Sequence, residues 1–104
     1  MNVTPMIPPD VRSAVDRLLD LARSDTGQAR RTADFLMAWW NAGDLGGFDI
    51  ADLFSLDTAI SSDMATIFTF LGRHPGGIYL DAFGRKDEME ALVALWRPQV
   101  VAGD

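Results

Sequence analysis

Residues 28–43 read QARRTADFLMAWWNAG, and this stretch decides the fold. Four apolar side chains fall within about 60° of one another on a helical wheel: Ala29, Ala33, Leu36 and Trp40. Three flanking residues widen the apolar arc to roughly 200°: Phe35, Met37 and Trp39. The pattern predicts a helix at the centre of a bundle, with Trp40 in the core and Gly43 at its end.

Helical spacing also appears on both sides of this stretch. Residues 10–22 follow Pro8-Pro9 with Asp10 as a cap, and residues 57–72 carry an apolar stripe with Phe68 beside it. Asp87 and Glu90 form a capping-box pattern before a last helix that Pro98 ends. The fold class we expect is all-α: a single compact helical bundle of four main helices plus one short connecting helix over residues 49–56.

Composition favours one domain over residues 1–104, with residues 1–8 as a loosely ordered N-terminal segment. No apolar run reaches the roughly 18 residues that a membrane span requires, and no secretory signal is visible, so we expect a cytoplasmic protein that does not enter a membrane. The chain has no cysteine, which excludes disulfides and thiolate chemistry.

Charge placement is the most informative part of the composition. The formal net charge is −6, and no lysine or arginine lies between Arg31 and Arg73. Every acid in that window is an aspartate: Asp34, Asp44, Asp49, Asp52, Asp57 and Asp63. Such a field disfavours direct binding to nucleic acid and favours a basic surface of another protein.

Catalytic and metal-binding patterns are weak. His74, the single histidine, sits at a predicted helix end, where interaction with the helix dipole accounts for it. Asp16 and Asp20 could form a carboxylate pair, but neighbouring arginines favour a solvated helix face. The aspartate spacing from residue 44 to 57 does not match a calcium loop, and GDLGG lacks the lysine of a phosphate loop. We therefore expect neither an enzyme nor a cofactor or metal site.

The aspartates have two interpretations. Asp49 and Asp57 fit helix caps, each stabilising the fold by roughly 1 kcal/mol. Alternatively, five acids form a partner-binding surface, together with Trp39 at the margin of its stripe: Asp44, Asp49, Asp52, Asp57 and Asp63.

Three motifs carry a family resemblance: AWWNA at residues 38–42, GGFD at 46–49 and LWRP at 95–98, with an acidic and apolar stretch ending near Asp63-Met64. Over roughly residues 28–98 the chain resembles a family of small bacterial proteins of unknown function, often encoded on plasmids and integrated elements. The resemblance implies a mobile-element context, in which many small acidic proteins inhibit host defence as anti-restriction or anti-CRISPR proteins. No catalytic residue can be carried over from it.

Two hypotheses follow. The first is a non-enzymatic module that docks its acidic surface on a basic protein, most sharply an inhibitor of a nucleic-acid-binding defence complex. The second is a module that associates with itself or with another helical protein through apolar surface that a small core leaves uncovered.

Overall fold

A computed structural model describes residues 7–74 and 76–102, and this part of the chain contains helices and no strand. The four main helices are α1 (Pro9–Ala22), α2 (Gly27–Leu45), α3 (Thr58–Gly72) and α4 (Lys86–Trp96). Two short 3-10 helices, η1 (Ile50–Ser55) and η2 (Leu80–Phe83), and a final turn, α5 (Pro98–Ala102), complete the order. The predicted all-α bundle of four main helices and a short connecting helix, η1, is confirmed. The predicted loose segment falls mainly on residues 1–6, which lie outside the described residues.

The core forms where α1 packs against α2 and α3 and where α4 closes on α2. Its largest fully buried side chains come from all four helices and from η2: Val15, Leu18, Leu19, Leu36, Met37, Ile67, Leu80, Met89 and Leu92. Burying one such side chain stabilises a fold by about 1.5–3 kcal/mol, so the apolar stripes read from the sequence hold the helices together.

Helix α2 does not end at Gly43. Its backbone leaves helical geometry at Asn41 (φ −167°, ψ 79°), and one further turn runs on to Leu45. The Oδ1 atom of Asn41 accepts a hydrogen bond from the backbone N–H of Asp44 at 3.3 Å. The helix ends at Gly46, whose φ of 96° is strongly unfavourable for a residue with a Cβ atom. The prediction for Gly43 was wrong because the asparagine caps a new turn before the chain reaches a true stop.

The helix starts agree with the predictions in part. Asp49 caps η1, since its carboxylate accepts from the backbone N–H of Ala51 at 2.9 Å, as predicted. Asp10 does not cap α1, which has Pro8 at the capping position and Asp10 inside its first turn. The capping box at Asp87 was also wrong, because α4 begins at Lys86 with Arg85 at the capping position and no side-chain cap, which places Asp87 inside the first turn.

Helix α3 buries a different aromatic residue from the one expected. Phe68 is 73% exposed, whereas Phe70 is buried and meets Phe83 edge to face, with ring centroids 6.3 Å apart. Met64 and Ile67, which belong to the apolar stripe of residues 57–72, are buried. The buried stripe is rotated toward residue 70 because η2 supplies Phe83 as a packing partner on that side.

Polar contacts fix α4 and the residue after it to the first half of the chain. The indole N–H of Trp96 donates to the carbonyl of Ala22 at 2.8 Å. Arg97 reaches α2 twice, with Nη2 donating to Asp34 at 2.8 Å and Nε donating to the carbonyl of Leu45 at 3.1 Å. We call this set of bonds from Arg97 the Arg97 clamp. Among the described helices, none is long and apolar enough to cross a lipid bilayer.

Candidate protein-binding surface

Three of the six aspartates between Arg31 and Arg73 have an arginine partner. Asp63 makes a two-pronged contact with Arg17, at 2.8 and 2.9 Å, and only 15% of its side chain is exposed. These bonds and the attraction of Asp63 raise the pKa of Arg17. Asp34 lies between Arg30, at 3.2 Å, and Arg97, at 2.8 Å. Much of the acidity that the sequence concentrates in this window is therefore compensated locally.

Asp52 has a weaker partner. Its carboxylate lies 3.7 Å from Nε of Arg31, which is too far for a hydrogen bond. That Nε atom is buried without a hydrogen-bond partner among the described residues. The pair therefore ties η1 to α2 by charge alone, and Asp52 faces Arg31 instead of presenting an uncompensated charge.

The other three aspartates are exposed and have no lysine or arginine within 4.0 Å in the described part of the chain: Asp44, Asp49 and Asp57. Asp44 accepts from Nδ2 of Asn41 at 3.0 Å, and Asp49 caps η1. Asp57 stands at the capping position of α3 but does not cap it, and instead accepts from the Gln28 amide at 3.3 Å. Their partners are neutral, so these three carboxylates keep their charge uncompensated.

An exposed apolar pair lies between two of these acids. Phe54 is 90% exposed and Ile50 is 68% exposed, and both belong to η1, which has no buried residue. The capping Asp49 precedes this pair and Asp57 follows it. We call Asp49, Ile50, Phe54 and Asp57 the η1 face. An exposed aromatic side chain offers a large apolar area that a partner protein can bury.

Trp39 takes a structural position. Its indole N–H donates to the carbonyl of Ile78 at 2.8 Å, and its ring meets Phe83 edge to face with centroids 5.6 Å apart. The residue is half-buried and packs against the core. Trp39 therefore holds the loop before η2 against α2, and it does not stand out as an anchor for a partner.

Trp40, expected in the core, is half-buried, as are Trp39 and Trp96. It lines an open groove of about 340 Å³ between the end of α2 and the α4–α5 segment. Trp39 and Trp96 donate their indole N–H groups to carbonyls, whereas Trp40 has no acceptor among the described residues. We call this opening the α2–α4 groove, and its lining mixes apolar walls with two carboxylates: Trp40, Asn41, Asp44, Leu45, Glu90, Val93, Ala94 and Val100.

The other candidate residues have structural surroundings. Nδ1 of His74 lies 2.7 Å from the carbonyl of Phe70, and the two rings are 4.3 Å apart, so the histidine packs on the end of α3. Asp16 pairs with Arg85, which also bonds Glu88, and these bonds raise the pKa of Arg85. Within residues 7–74 and 76–102, no group of three or more acidic or histidine side chains could hold a metal ion.

Comparison with known proteins identifies one family. The model of the family of unknown function DUF7673 matches residues 12–97. Searches of curated proteins and of solved structures find no significant match.

Proposed function

The chain belongs to this family of unknown function, and from its own surface we propose that it is a non-enzymatic module that docks on a basic surface of another protein. The observation that carries the proposal is the pairing pattern of the aspartates. Asp44, Asp49 and Asp57 are exposed and have no arginine partner among the described residues, and Phe54, which lies between Asp49 and Asp57 in the sequence, is 90% exposed. A basic partner would gain charge contacts from the acids and apolar contact from the phenylalanine.

In its sharpest form the partner is a nucleic-acid-binding defence complex, inhibited in the manner of anti-CRISPR or anti-restriction proteins in the cytoplasm. Carboxylates spaced along a helical surface can occupy arginine and lysine clusters that otherwise bind phosphates. Uncompensated charge of this kind acts mainly on association rate and specificity. The net charge of −6 supports the proposal, because it disfavours direct contact with nucleic acid.

The test compares two triple variants of the tagged protein in cells that encode it. Asp44→Asn/Asp49→Asn/Asp57→Asn neutralises the proposed surface, and asparagine can still cap η1. Asp10→Asn/Asp25→Asn/Asp87→Asn is the matched control, because it removes the same charge from exposed positions elsewhere. Capture is carried out at about 0.1 M and about 1 M salt, between which the Debye length falls from roughly 10 Å to about 3 Å.

We expect the wild type and the control to capture a nucleic-acid-binding protein at low salt and to lose it at high salt, and the surface variant to fail at both. The purified partner should then lose DNA or RNA binding in a gel-shift assay when the wild-type protein is added. Equal capture by the two triple variants would contradict the proposal.

A second candidate function is self-association, and the exposed aromatics favour it. The large apolar arc of α2 does not favour self-association, because Phe35, Trp39 and Trp40 pack against the core. The two most exposed large apolar side chains are instead Phe54 and Phe68, at 90% and 73% exposure, and Ile50, Tyr79 and Leu95 are also exposed. Sedimentation equilibrium of the wild type and of Phe54→Ser/Phe68→Ser decides the matter: a dimer that the double variant abolishes supports assembly, and a wild-type monomer at high concentration excludes it.

A further inference from the structure

We propose that the α2–α4 groove binds an arginine side chain of the partner protein. The inference rests on the proposed function, because it names the chemical group that the protein-binding module recognises beside its acidic surface. The groove differs from the η1 face in composition. It is a concave site with an indole, aliphatic walls and two carboxylates, whereas the η1 face is an exposed projection.

The lining of the groove fits a planar cation. Asp44, in the last turn of α2, and Glu90, on α4, supply two carboxylates to the lining. Trp40 supplies an indole ring, the aromatic side chain that attracts cations best. The half-buried Val93 and Val100 supply apolar contact for a methylene stem. An arginine side chain can make all of these contacts, because its guanidinium group is weakly hydrated, stacks on aromatic rings and donates several hydrogen bonds to carboxylates.

Other occupants fit the same lining less well. The two carboxylates would repel a phosphate or another anion. A purely apolar side chain would remove Asp44 and Glu90 from water without giving them a donor, which is unfavourable. A lysine satisfies the charge but is compact and strongly hydrated, so it makes less use of the indole.

The groove is held open by contacts within the protein. The Arg97 clamp fixes the junction of α4 and α5 to the end of α2, since it bonds Asp34 and the carbonyl of Leu45. The kink at Asn41 starts the short turn that carries Asp44. Lys86 lies 4.0 Å from Glu90, but both side chains are at least 60% exposed, so this pair is screened and readily replaced. An arginine would therefore meet a site whose walls are already in place.

The direct test uses N-acetyl-arginine N-methylamide as the probe and the citrulline analogue as its uncharged control. The three tryptophan indole N–H signals in ¹H–¹⁵N spectra of the full chain report on the site, with Trp40→Phe identifying the signal of Trp40. We expect the arginine probe to shift the Trp40 signal in a saturable way and to leave those of Trp39 and Trp96 unchanged. The citrulline analogue should shift none of them.

Two further variants test the carboxylate. Glu90→Gln should weaken binding of the arginine probe about threefold, which is the size expected for one exposed charge contact. Asp87→Asn removes an equal charge from the same helix outside the groove, and it should leave the dissociation constant unchanged. The proposal is overturned if the Trp40 signal does not respond, if citrulline shifts it equally, or if the two variants weaken binding alike.

The result is independent of partner capture. If the arginine probe fails while capture still depends on Asp44, Asp49 and Asp57, the groove assignment is wrong and the proposed function stands. If the probe binds at Trp40 while no acid-dependent capture occurs, the arginine site stands and the proposed partner class is wrong.

Discussion

Trp39 and Trp40 are adjacent in the sequence but make different contacts, so replacing each of them should change the stability of the fold by a different amount. Trp39→Phe removes the hydrogen bond to the carbonyl of Ile78 and part of a half-buried ring. We expect it to lower the free energy of unfolding by about 2 kcal/mol, of which the hydrogen bond accounts for about 1 kcal/mol. Trp40→Phe removes no such bond and should cost below about 1 kcal/mol. Urea denaturation followed by circular dichroism measures both, and equal losses would contradict the assignment.

The helical wheel could not separate these two residues. Periodicity correctly placed both on the broad apolar side of α2, and both pack against the core. The wheel predicts Trp40 in the core, and Trp39, at the margin of the apolar stripe, as a candidate partner-binding residue. The difference depends on what approaches each ring: the loop before η2 reaches Trp39, while the kink at Asn41 leaves Trp40 beside a groove. Those are tertiary contacts that a single helix pattern does not contain.

The end of α2 depends on a backbone conformation that only glycine adopts readily, which predicts a loss of stability on substitution. Gly46 has φ 96° and ψ 164°, a region that is essentially restricted to glycine, and no atom lies within 4 Å of a Cβ built there. Gly46→Ala should therefore destabilise the fold by about 1–3 kcal/mol through the backbone alone. Gly47→Ala is the matched control, since its surroundings are equally open and its φ is not positive. Thermal unfolding should show a clearly lower midpoint temperature for Gly46→Ala. For Gly47→Ala the free energy of unfolding should change by no more than about 0.5 kcal/mol.

The sequence predicts which helices form better than it predicts the residues at which they end. Apolar spacing located all four main helices, because burial of one face dominates their stability, whereas the short connecting helix buries no residue and was located with the help of its Asp49 cap. Ends depend on local competition between caps. Asn41, Gly43 and Gly46 all offer plausible stops within six residues, and the choice between them follows from the packing of Leu45 into the core.

For the whole molecule, stability should be uneven along the chain. Helices α1 and α2 carry many fully buried side chains, whereas η1 contains none. Segments with little burial open at low cost, and Phe54 is 90% exposed in such a segment. Chymotrypsin should therefore cleave first after Phe54, well before the buried Phe70 or Phe83. Mass spectrometry of a short digest identifies the site, and Phe54→Ser should remove this early product.

Charge placement along the sequence was a poor guide to charge placement in space. The window between Arg31 and Arg73 contains six aspartates and no basic residue, and one interpretation was that five of them form a partner-binding surface. The fold brings Arg17 to Asp63 and Arg97 to Asp34 from outside that window. Three acids remain as candidates for binding, and identifying them required the packing of α1 and α4.

The Arg97 clamp and the Trp96 bond have a consequence for how the protein is made. Trp96 contacts Ala22, 74 positions earlier in the chain, and Arg85 contacts Asp16 across 69 positions. At roughly 5–20 residues per second, a ribosome needs about 4 to 15 s to cover that separation. Throughout this interval α1 can pack against α2, but both helices lack their contacts with α4. A chain whose synthesis stops before residue 96 lacks the bond from Trp96 to Ala22 and the whole Arg97 clamp, so its first two helices are not tied to the end of α4.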